Sequence, residues 1–296
     1  MRSGAPQIGR RLHSLFGQAH PRTLPTAPEN AAQGRPKRLK DLTKSTIQLI
    51  QLTDQHLFGD PARVLRGVPT LPALRATLTA ARSELEACDA ILATGDLVQD
   101  DAGGYAHFCT EMGQLGRPVL CLPGNHDDVP AMRAALAQPP FQCGGIWDAG
   151  NWRVILLDST IPGETAGHLA AGEMSLLEQA LTAARDRHTL VCLHHHPVPM
   201  HSRWLDGVGL NNAEEFLSLL GRFANVRGVV FGHVHQAYDE THRGVRLIGT
   251  PSTCSQFRPH SDDFALDERP PGWRTFTLHA DGRLDSTLHW LAGWRG

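Results

Sequence analysis

Two pairs of side chains with metal-binding chemistry are spaced two residues apart in this sequence. Asp54 and His56 form one pair, and His233 and His235 form the other. On an extended chain, side chains two residues apart point to the same side. A carboxylate oxygen with an imidazole nitrogen, or two imidazole nitrogens, can therefore bind one cation. Either pair alone is weak support for a metal site, because such pairs also occur in ordinary turns.

Two further segments carry oxygen ligands. Asp96 follows Gly95, and its two carboxylate oxygens allow it to bridge two cations. Asn125, His126 and Asp127 stand in succession. The asparagine offers a neutral oxygen ligand, whereas the histidine beside it is free to act on a substrate. An ordinary turn after a buried strand has no use for this triplet, so it is more specific than the Gly-Asp pair.

A run of three histidines, residues 194–196, precedes Pro197. We expect at least one of them to be a ligand. Neighbours on an extended chain point in opposite directions, so binding by all three is not expected. The combined donors are oxygen and nitrogen without thiolate, which suits Fe, Mn, Zn or Co rather than an iron–sulfur site.

Each of these five segments follows a short apolar run that the sequence predicts to be a buried strand. Predicted strands cover residues 47–52, 90–93, 119–122, 152–157, 190–193, 226–231, 244–249, 273–278 and 284–291. Predicted helices cover residues 71–87, 105–115, 131–137, 173–186 and 212–223. This alternation predicts an α/β protein with helices on both sides of a sheet stack. Ligands of such proteins collect outside the carboxyl ends of strands, where all five segments lie.

The net charge of −2 conceals an asymmetry along the chain. Residues 1–46 hold nine Lys/Arg and two Asp/Glu, so the rest is acidic and is not a general nucleic-acid binder by charge. We predict that residues 1–44 are a disordered basic extension and that residues 45–296 form the folded domain. No apolar run reaches the roughly 18 residues of a membrane-spanning helix, and a cytoplasmic location is expected.

The order of the motifs DxH, GD, GNHD, a histidine run before proline, and GHxH resembles the calcineurin-like metallophosphoesterases. Within that superfamily, the chain is similar to the bacterial class III phosphodiesterases that act on 3′,5′-cyclic AMP. The similarity spans residues 47–291 and includes ATGDLVQD, LPGNHD, LLDS, HTLVCLHHHP, SRWLD, PSTCSQF and PGWRTFTLHADG. The resemblance implies a four-layer α/β/β/α sandwich.

The resemblance also implies two metal ions per chain, Fe or Mn, with Zn or Co as alternatives. The first ion would be held by Asp54, His56 and His235. The second would be held by Asn125, His195 and His233, and Asp96 would bridge both. His195 is chosen among the three histidines because the family ligand precedes proline by two positions, which leaves His194 and His196 to support or pack around the site. The implied catalytic residues are Asn125 and His126, and the implied substrate-binding residues are His56, Asn125, His126 and His235.

The implied reaction is hydrolysis of cyclic AMP to 5′-AMP, with a bridging hydroxide as the nucleophile. His126 would protonate the departing 3′ oxygen, oriented by Asp127 or a backbone group. One alternative is a metallophosphodiesterase for 2′,3′-cyclic nucleotides or glycerophosphodiesters. A non-catalytic binding scaffold is less favoured, because every ligand is intact. The expected partner is the small cyclic nucleotide, with no stable nucleic-acid partner and no membrane.

Overall fold

The computed structural model of the chain describes residues 46–294. Two six-stranded sheets lie face to face, and helices cover the outer face of each sheet, which gives the expected four-layer α/β/β/α sandwich. The predicted extension, residues 1–44, lies outside the described residues. Within residues 46–294, no helix is both long and apolar enough to span a bilayer.

Sixteen strands lie within residues 46–294. In chain order they are β1 Thr46–Leu52, β2 Val64–Leu65, β3 Val68–Pro69, β4 Ala90–Thr94, β5 Val119–Leu122, β6 Phe141–Cys143, β7 Gly145–Ala149, β8 Trp152–Leu156, β9 His188–Leu193, β10 Val226–Phe231, β11 Tyr238–His242, β12 Val245–Gly249, β13 Gln256–Phe257, β14 Leu266–Asp267, β15 Gly272–His279 and β16 Leu284–Trp290. The first large sheet has the order β16-β15-β1-β4-β5-β6, and the second has the order β11-β12-β10-β9-β8-β7.

The centre of each sheet is parallel and its margins are antiparallel. β1, β4, β5 and β6 run in one direction, and β15 pairs antiparallel with β1. In the second sheet β8, β9, β10 and β12 are parallel, flanked by antiparallel β7 and β11. The parallel centres place several carboxyl ends at one edge of each sheet, where ligands collect in this kind of fold.

Seven helices lie within residues 46–294: α1 Thr70–Ala80, α2 Arg82–Ala87, α3 Gly104–Gly113, α4 Val129–Ala135, α5 Ala171–Ala183, α6 Arg203–Asp206 and α7 Ala213–Leu220. The predicted helix 71–87 is interrupted at Ala81, which has φ −86° and ψ 14° and separates α1 from α2. The predicted helix 173–186 begins two residues earlier and ends three residues earlier.

Strand alternation builds the layers. In β1, Ile47 and Leu49 face the core between the two sheets, whereas Ile50 and Leu52 face the helices. Successive side chains of a strand point to opposite faces, so a run that is apolar at every position must be covered on both sides. The inter-sheet core also contains Leu92, Leu120, Trp152, Val154, Leu190, Val230 and Ile248, all fully buried.

Candidate metal centre

The predicted ligand segments all lie at one edge of the sandwich. β1, β4 and β5 of the first sheet and β9 and β10 of the second end directly before them. Five ligand candidates have left-handed backbone conformations, with φ between 47° and 67°: Asp54, His56, Asp96, His233 and His235. Each such conformation costs a non-glycine residue about 1–3 kcal/mol and is typical of functional sites. The strain is concentrated at the strand ends, where side chains must turn toward one point.

Four side chains form a first group of converging ligand atoms: Asp54, His56, Asp96 and His235, all buried and within 4.8 Å of one another. Nε2 of His235 lies 3.3 Å from Oδ1 of Asp54 and 3.1 Å from Nε2 of His56. Nδ1 of His235 donates to the carbonyl of Ser255 at 2.6 Å. A carbonyl only accepts, so this contact holds the proton on Nδ1 and leaves a lone pair on Nε2.

A second group contains His194, His195 and His233. Asp96 connects the two groups, because its Oδ2 lies 3.7 Å from Nε2 of His56 and 3.4 Å from Nε2 of His194. Its other oxygen accepts the backbone N–H of His126 at 2.9 Å. Asp96 therefore has the position that a bridging carboxylate requires.

The three consecutive histidines differ in their contacts. Nδ1 of His194 contacts the carbonyl of Thr94 at 2.8 Å, and its Nε2 faces Asp96 without a hydrogen-bond partner among residues 46–294. Both ring nitrogens of His195 are engaged, Nδ1 with Oγ of Ser159 at 2.8 Å and Nε2 with the carbonyl of Thr165 at 3.2 Å. A ligand needs one free nitrogen and one anchored nitrogen. At this position the structure favours His194 over the expected His195.

The ring of His196 has a different environment. It is 2% exposed and stacks on His233, with ring centroids 5.5 Å apart. Neither of its ring nitrogens has a partner within the described part of the chain. His196 lies outside both groups of converging atoms, in agreement with a packing role.

Charge in the site favours cations. Burial by itself would raise the pKa of Asp96, but the nearby imidazoles of His194 and His56 hold it well below its usual range. Burial lowers the pKa of His56 to about 3, although Asp96 opposes this shift. Burial also lowers the pKa of His194, but Asp96 outweighs it and raises the value to about 9. A buried, ionised carboxylate therefore lies between two imidazole rings, and its negative charge favours a cation at this position.

The donor set fits metal ions. In the first group, the lone pair on Nε2 of His235 faces the Asp54 carboxylate and the His56 ring. Buried electron-rich atoms face one another favourably only when positive charge lies between them. In the second group, Nε2 of His233 and Oδ1 of Asn125 are buried without a partner in the region 46–294. Buried polar atoms normally have partners, so these orphaned ligand atoms also fit a cation.

His126 lies beside the groups but belongs to neither. Its Nδ1 lies 3.1 Å from both carboxylate oxygens of Asp100 and 2.8 Å from the amide nitrogen of Gln99. Asp127, the expected orienting residue, instead accepts backbone N–H groups of Gly124, Leu97 and Val98. Asp127 therefore holds the loop, and Asp100 orients the ring. Asp100 was not predicted from the sequence as the residue that orients His126, although Asp100 lies within the ATGDLVQD segment.

Gly95 and Gly124 allow the loops after β4 and β5 to approach the candidate ligands closely. A Cβ atom on Gly124 would collide with the side chain and backbone of Asp96, and one on Gly95 would collide with the ring of His194. Gly95 also has a φ of 96°, which favours glycine.

A cleft of about 160 Å³ opens onto the metal-binding atoms. Its lining includes the candidate metal ligands His56, Asp96, Asn125, His233 and His235, together with His126. It also includes Arg66, Thr165, Trp204, Leu205, Val208 and Phe257. All four expected substrate-binding residues therefore line the cleft.

Known proteins are similar in sequence to this chain over most of its length. The chain is 41% identical over 254 residues to the 3′,5′-cyclic adenosine monophosphate phosphodiesterase CpdA of Escherichia coli (strain K12), covering 85% of this chain and 92% of that protein. It is 40% identical over 248 residues to the protein of the same name from Pseudomonas aeruginosa, covering 83% and 90%.

The fold is shared more widely. A dimetal phosphatase from Danio rerio superposes with a TM-score of 0.57 at 16% identity, over 83% of this chain and 99% of that one. The profile of the calcineurin-like phosphoesterases matches residues 47–237. That match contains every ligand segment described above, and the chain belongs to the calcineurin-like phosphoesterase family.

Proposed function

We propose that this protein hydrolyses 3′,5′-cyclic AMP to 5′-AMP at a centre of two metal ions. The observation that carries the proposal is the position of Asp96, with one oxygen between His56 at 3.7 Å and His194 at 3.4 Å. Two buried donor groups that share a carboxylate are the arrangement that a two-metal phosphoesterase needs. The proposed substrate is the one named for relatives about 40% identical over most of their length.

The proposed ligands divide between the two groups. Asp54, His56 and His235 would hold the first ion, Asn125, His194 and His233 would hold the second, and Asp96 would be shared by the two. His194 replaces His195 in this set because of its free Nε2. The oxygen and nitrogen donors suit Fe or Mn, with Zn or Co as alternatives.

When bound, the two cations activate a water molecule for attack at neutral pH and neutralise charge on the phosphoryl oxygens. The chain contributes the remaining groups. The side-chain amide of Asn125 lies in the cleft wall next to His126, so its N–H donors can contact a phosphoryl oxygen. Burial of the ligand side chains excludes bulk water from the reacting centre, which strengthens these contacts.

His126 supplies the proton for the leaving group. The carboxylate of Asp100 lies against Nδ1 and orients the ring, so Nε2 is the nitrogen that we assign to deliver the proton in the cleft. The ring is about one-quarter exposed, which gives a substrate access to it. The 3′ oxygen of cyclic AMP leaves as a basic alkoxide and takes that proton.

A panel of phosphodiesters tests the proposed substrate. The purified, metal-loaded protein would be assayed with 3′,5′-cyclic AMP, 3′,5′-cyclic GMP, 2′,3′-cyclic AMP and glycerophosphocholine, and the products would be separated by chromatography. We expect 3′,5′-cyclic AMP to give 5′-AMP with the highest kcat/KM. A higher kcat/KM for 2′,3′-cyclic AMP or glycerophosphocholine would overturn the proposed specificity but leave the metal centre intact.

A further inference from the structure

The part of the cleft lining beside the candidate metal ligands is aromatic and cationic. Trp204 and Phe257 belong to it, and their ring centroids lie 5.1 Å apart. Phe264 extends the cluster, with its ring centroid 5.2 Å from that of Trp204 and 5.5 Å from that of Phe257. Phe264 is 48% exposed, so a ligand can reach its ring. We define these three rings, together with Arg66, as the aromatic wall.

Arg66 completes the wall. Its guanidinium carbon lies 5.0 Å from the ring centroid of Phe257 and 4.9 Å from that of Phe264. Within residues 46–294, Arg66 has neither an ion-pair partner nor a side-chain hydrogen bond, so its N–H edges are free. Stacking on aromatic rings fixes the plane of a guanidinium without using those edges.

The backbone conformation at Arg66 is unfavourable for a residue with a side chain. Arg66 and Gly67 form the two-residue turn between β2 and β3, with φ values of 52° and 87°. Such turns favour asparagine and glycine, because both central residues have positive φ. An arginine at the first position is therefore explained by its side chain rather than by the turn.

The aromatic wall contains hydrogen-bond donors that have no partner among residues 46–294. The indole N–H of Trp204 is buried and has no acceptor among the described residues. Phe257 also stacks on the ligand candidate His235, with centroids 4.0 Å apart and planes 9° apart. The aromatic surface thus begins one ring away from the metal-binding atoms. A ligand held there must be flat and must offer acceptors.

We propose that the aromatic wall is the nucleobase subsite of the enzyme, with Arg66 as a specificity-determining residue that donates its free N–H groups to a purine base. The inference deepens the proposed function and rests on it, since a cyclic nucleotide anchored by its phosphate at the metal centre must place its base elsewhere in the cleft. Bases stack on aromatic rings and guanidinium planes, and purine ring nitrogens accept hydrogen bonds.

Kinetics with and without a base test the subsite. The two substrates are cyclic AMP and methyl ribofuranoside 3′,5′-cyclic phosphate, which has the same ester but no base. For Arg66→Met and Phe264→Leu we expect KM for cyclic AMP to rise about tenfold, the order expected for losing one hydrogen-bonding or stacking contact with the base, with kcat within about twofold. Neither parameter should change for the base-free ester.

Two variants serve as controls. Arg63 lies on the approach to the same hairpin, and its guanidinium carbon lies 5.0 Å from the ring centroid of Phe58, outside the cleft lining. Arg63→Met should leave both substrates unaffected. Phe264→Tyr keeps the ring and should keep the KM for cyclic AMP. Equal losses on both substrates would place Arg66 on the phosphate and overturn the base subsite, as would an unchanged KM in both Arg66→Met and Phe264→Leu.

A binding readout separates this inference from the proposed function. In saturation-transfer NMR with 5′-AMP, the base protons H2 and H8 should receive saturation from the wild-type protein and lose most of it in Arg66→Met. One outcome is that the wild type fails to hydrolyse cyclic AMP while its base-proton saturation is still lost in Arg66→Met. In that case the proposed function fails and the base subsite stands. If the base protons receive no saturation from the wild type, the subsite fails whatever the hydrolysis data show.

Discussion

At the scale of single residues, a free ring nitrogen is the reason for proposing His194 rather than His195 as a metal ligand. His194 anchors Nδ1 on a backbone carbonyl and directs Nε2 at Asp96, whereas His195 uses both nitrogens within the protein. The motif alone could not settle this choice, because three identical side chains precede Pro197 and a shift of one residue preserves the pattern. The decision depends on where Thr94, Ser159 and Thr165 lie, which sequence does not give.

The first prediction separates the three histidines. His194→Ala should remove about one metal equivalent per chain and most activity, because it deletes the proposed ligand of the second ion. His196→Ala should keep both ions. Elemental analysis of the purified variants gives the stoichiometry. Retention of both ions in His194→Ala, with loss of one in His195→Ala, would restore the assignment expected from the motif.

The second prediction concerns the proton donor. His126→Ala should keep both metals but slow cyclic AMP hydrolysis by about 10²–10⁴-fold, the usual range for a general acid. Hydrolysis of bis-nitrophenyl phosphate by the same variant should fall much less, because nitrophenolate leaves without a proton. Steady-state rates on the two substrates provide the comparison.

An equal fall on both substrates would leave His126 as a phosphate-positioning group. Asp100→Asn is the companion variant, since the structure places Asp100 3.1 Å from Nδ1 of His126. Asp100→Asn should lose part of the cyclic AMP activity that His126→Ala loses. Its activity on the nitrophenyl ester should hardly change.

At the scale of elements, strand ends position the ligands and glycines let the loops meet. The loop after β5 passes so close to the loop after β4 that a Cβ on Gly124 would collide with Asp96. Backbone atoms form part of the obstruction, so the collision cannot be relieved by rotating a side chain. The position of the Asp96 carboxylate thus depends on Gly124, which has no side chain.

The third prediction is that Gly124→Ala lowers bound metal and cyclic AMP hydrolysis by at least about tenfold while the protein stays folded. Displacement of Asp96 weakens both donor groups at once. Gly172→Ala in α5 is the matched control, because a Cβ there meets nothing within 4 Å. Circular dichroism and elemental analysis of both variants check the prediction, and full metal occupancy in Gly124→Ala would contradict it.

The sequence predicted the ligand-bearing elements better than the margins of the sheets. Buried apolar runs correctly predicted the strands β1, β4, β5, β9 and β10. The predicted four-layer fold was also confirmed. The prediction missed β6, β7 and β11, together with the β2–β3 hairpin that carries Arg66. These segments are polar or only partly buried, so their pairing depends on the sheet beside them rather than on their own periodicity.

At the scale of the whole molecule, the site exists only where the two sheets meet. The first sheet contributes Asp54, His56, Asp96 and Asn125, and the second contributes His194, His233 and His235. All of these residues belong to the chain after residue 45, as does every residue of the aromatic wall. The basic N-terminal segment, which lies outside the described residues, supplies none of the proposed chemistry.

The fourth prediction follows from that division. Deleting residues 1–43 should leave kcat/KM for cyclic AMP within about twofold of the full chain, because β1 and every proposed ligand are retained. Parallel assays of the two purified proteins at equal metal loading provide the measurement. A tenfold loss would assign the segment a part in the working enzyme.

The central claim is that two metal ions, joined through Asp96, hydrolyse cyclic AMP. Its most direct test is a titration of chelator-treated protein with Mn²⁺, at a protein concentration well above the dissociation constants, while 5′-AMP release from cyclic AMP is followed. The account predicts almost no release without metal and a rate that rises until two equivalents per chain are bound. A rate that reaches its plateau at one equivalent, or that does not depend on metal, would contradict it.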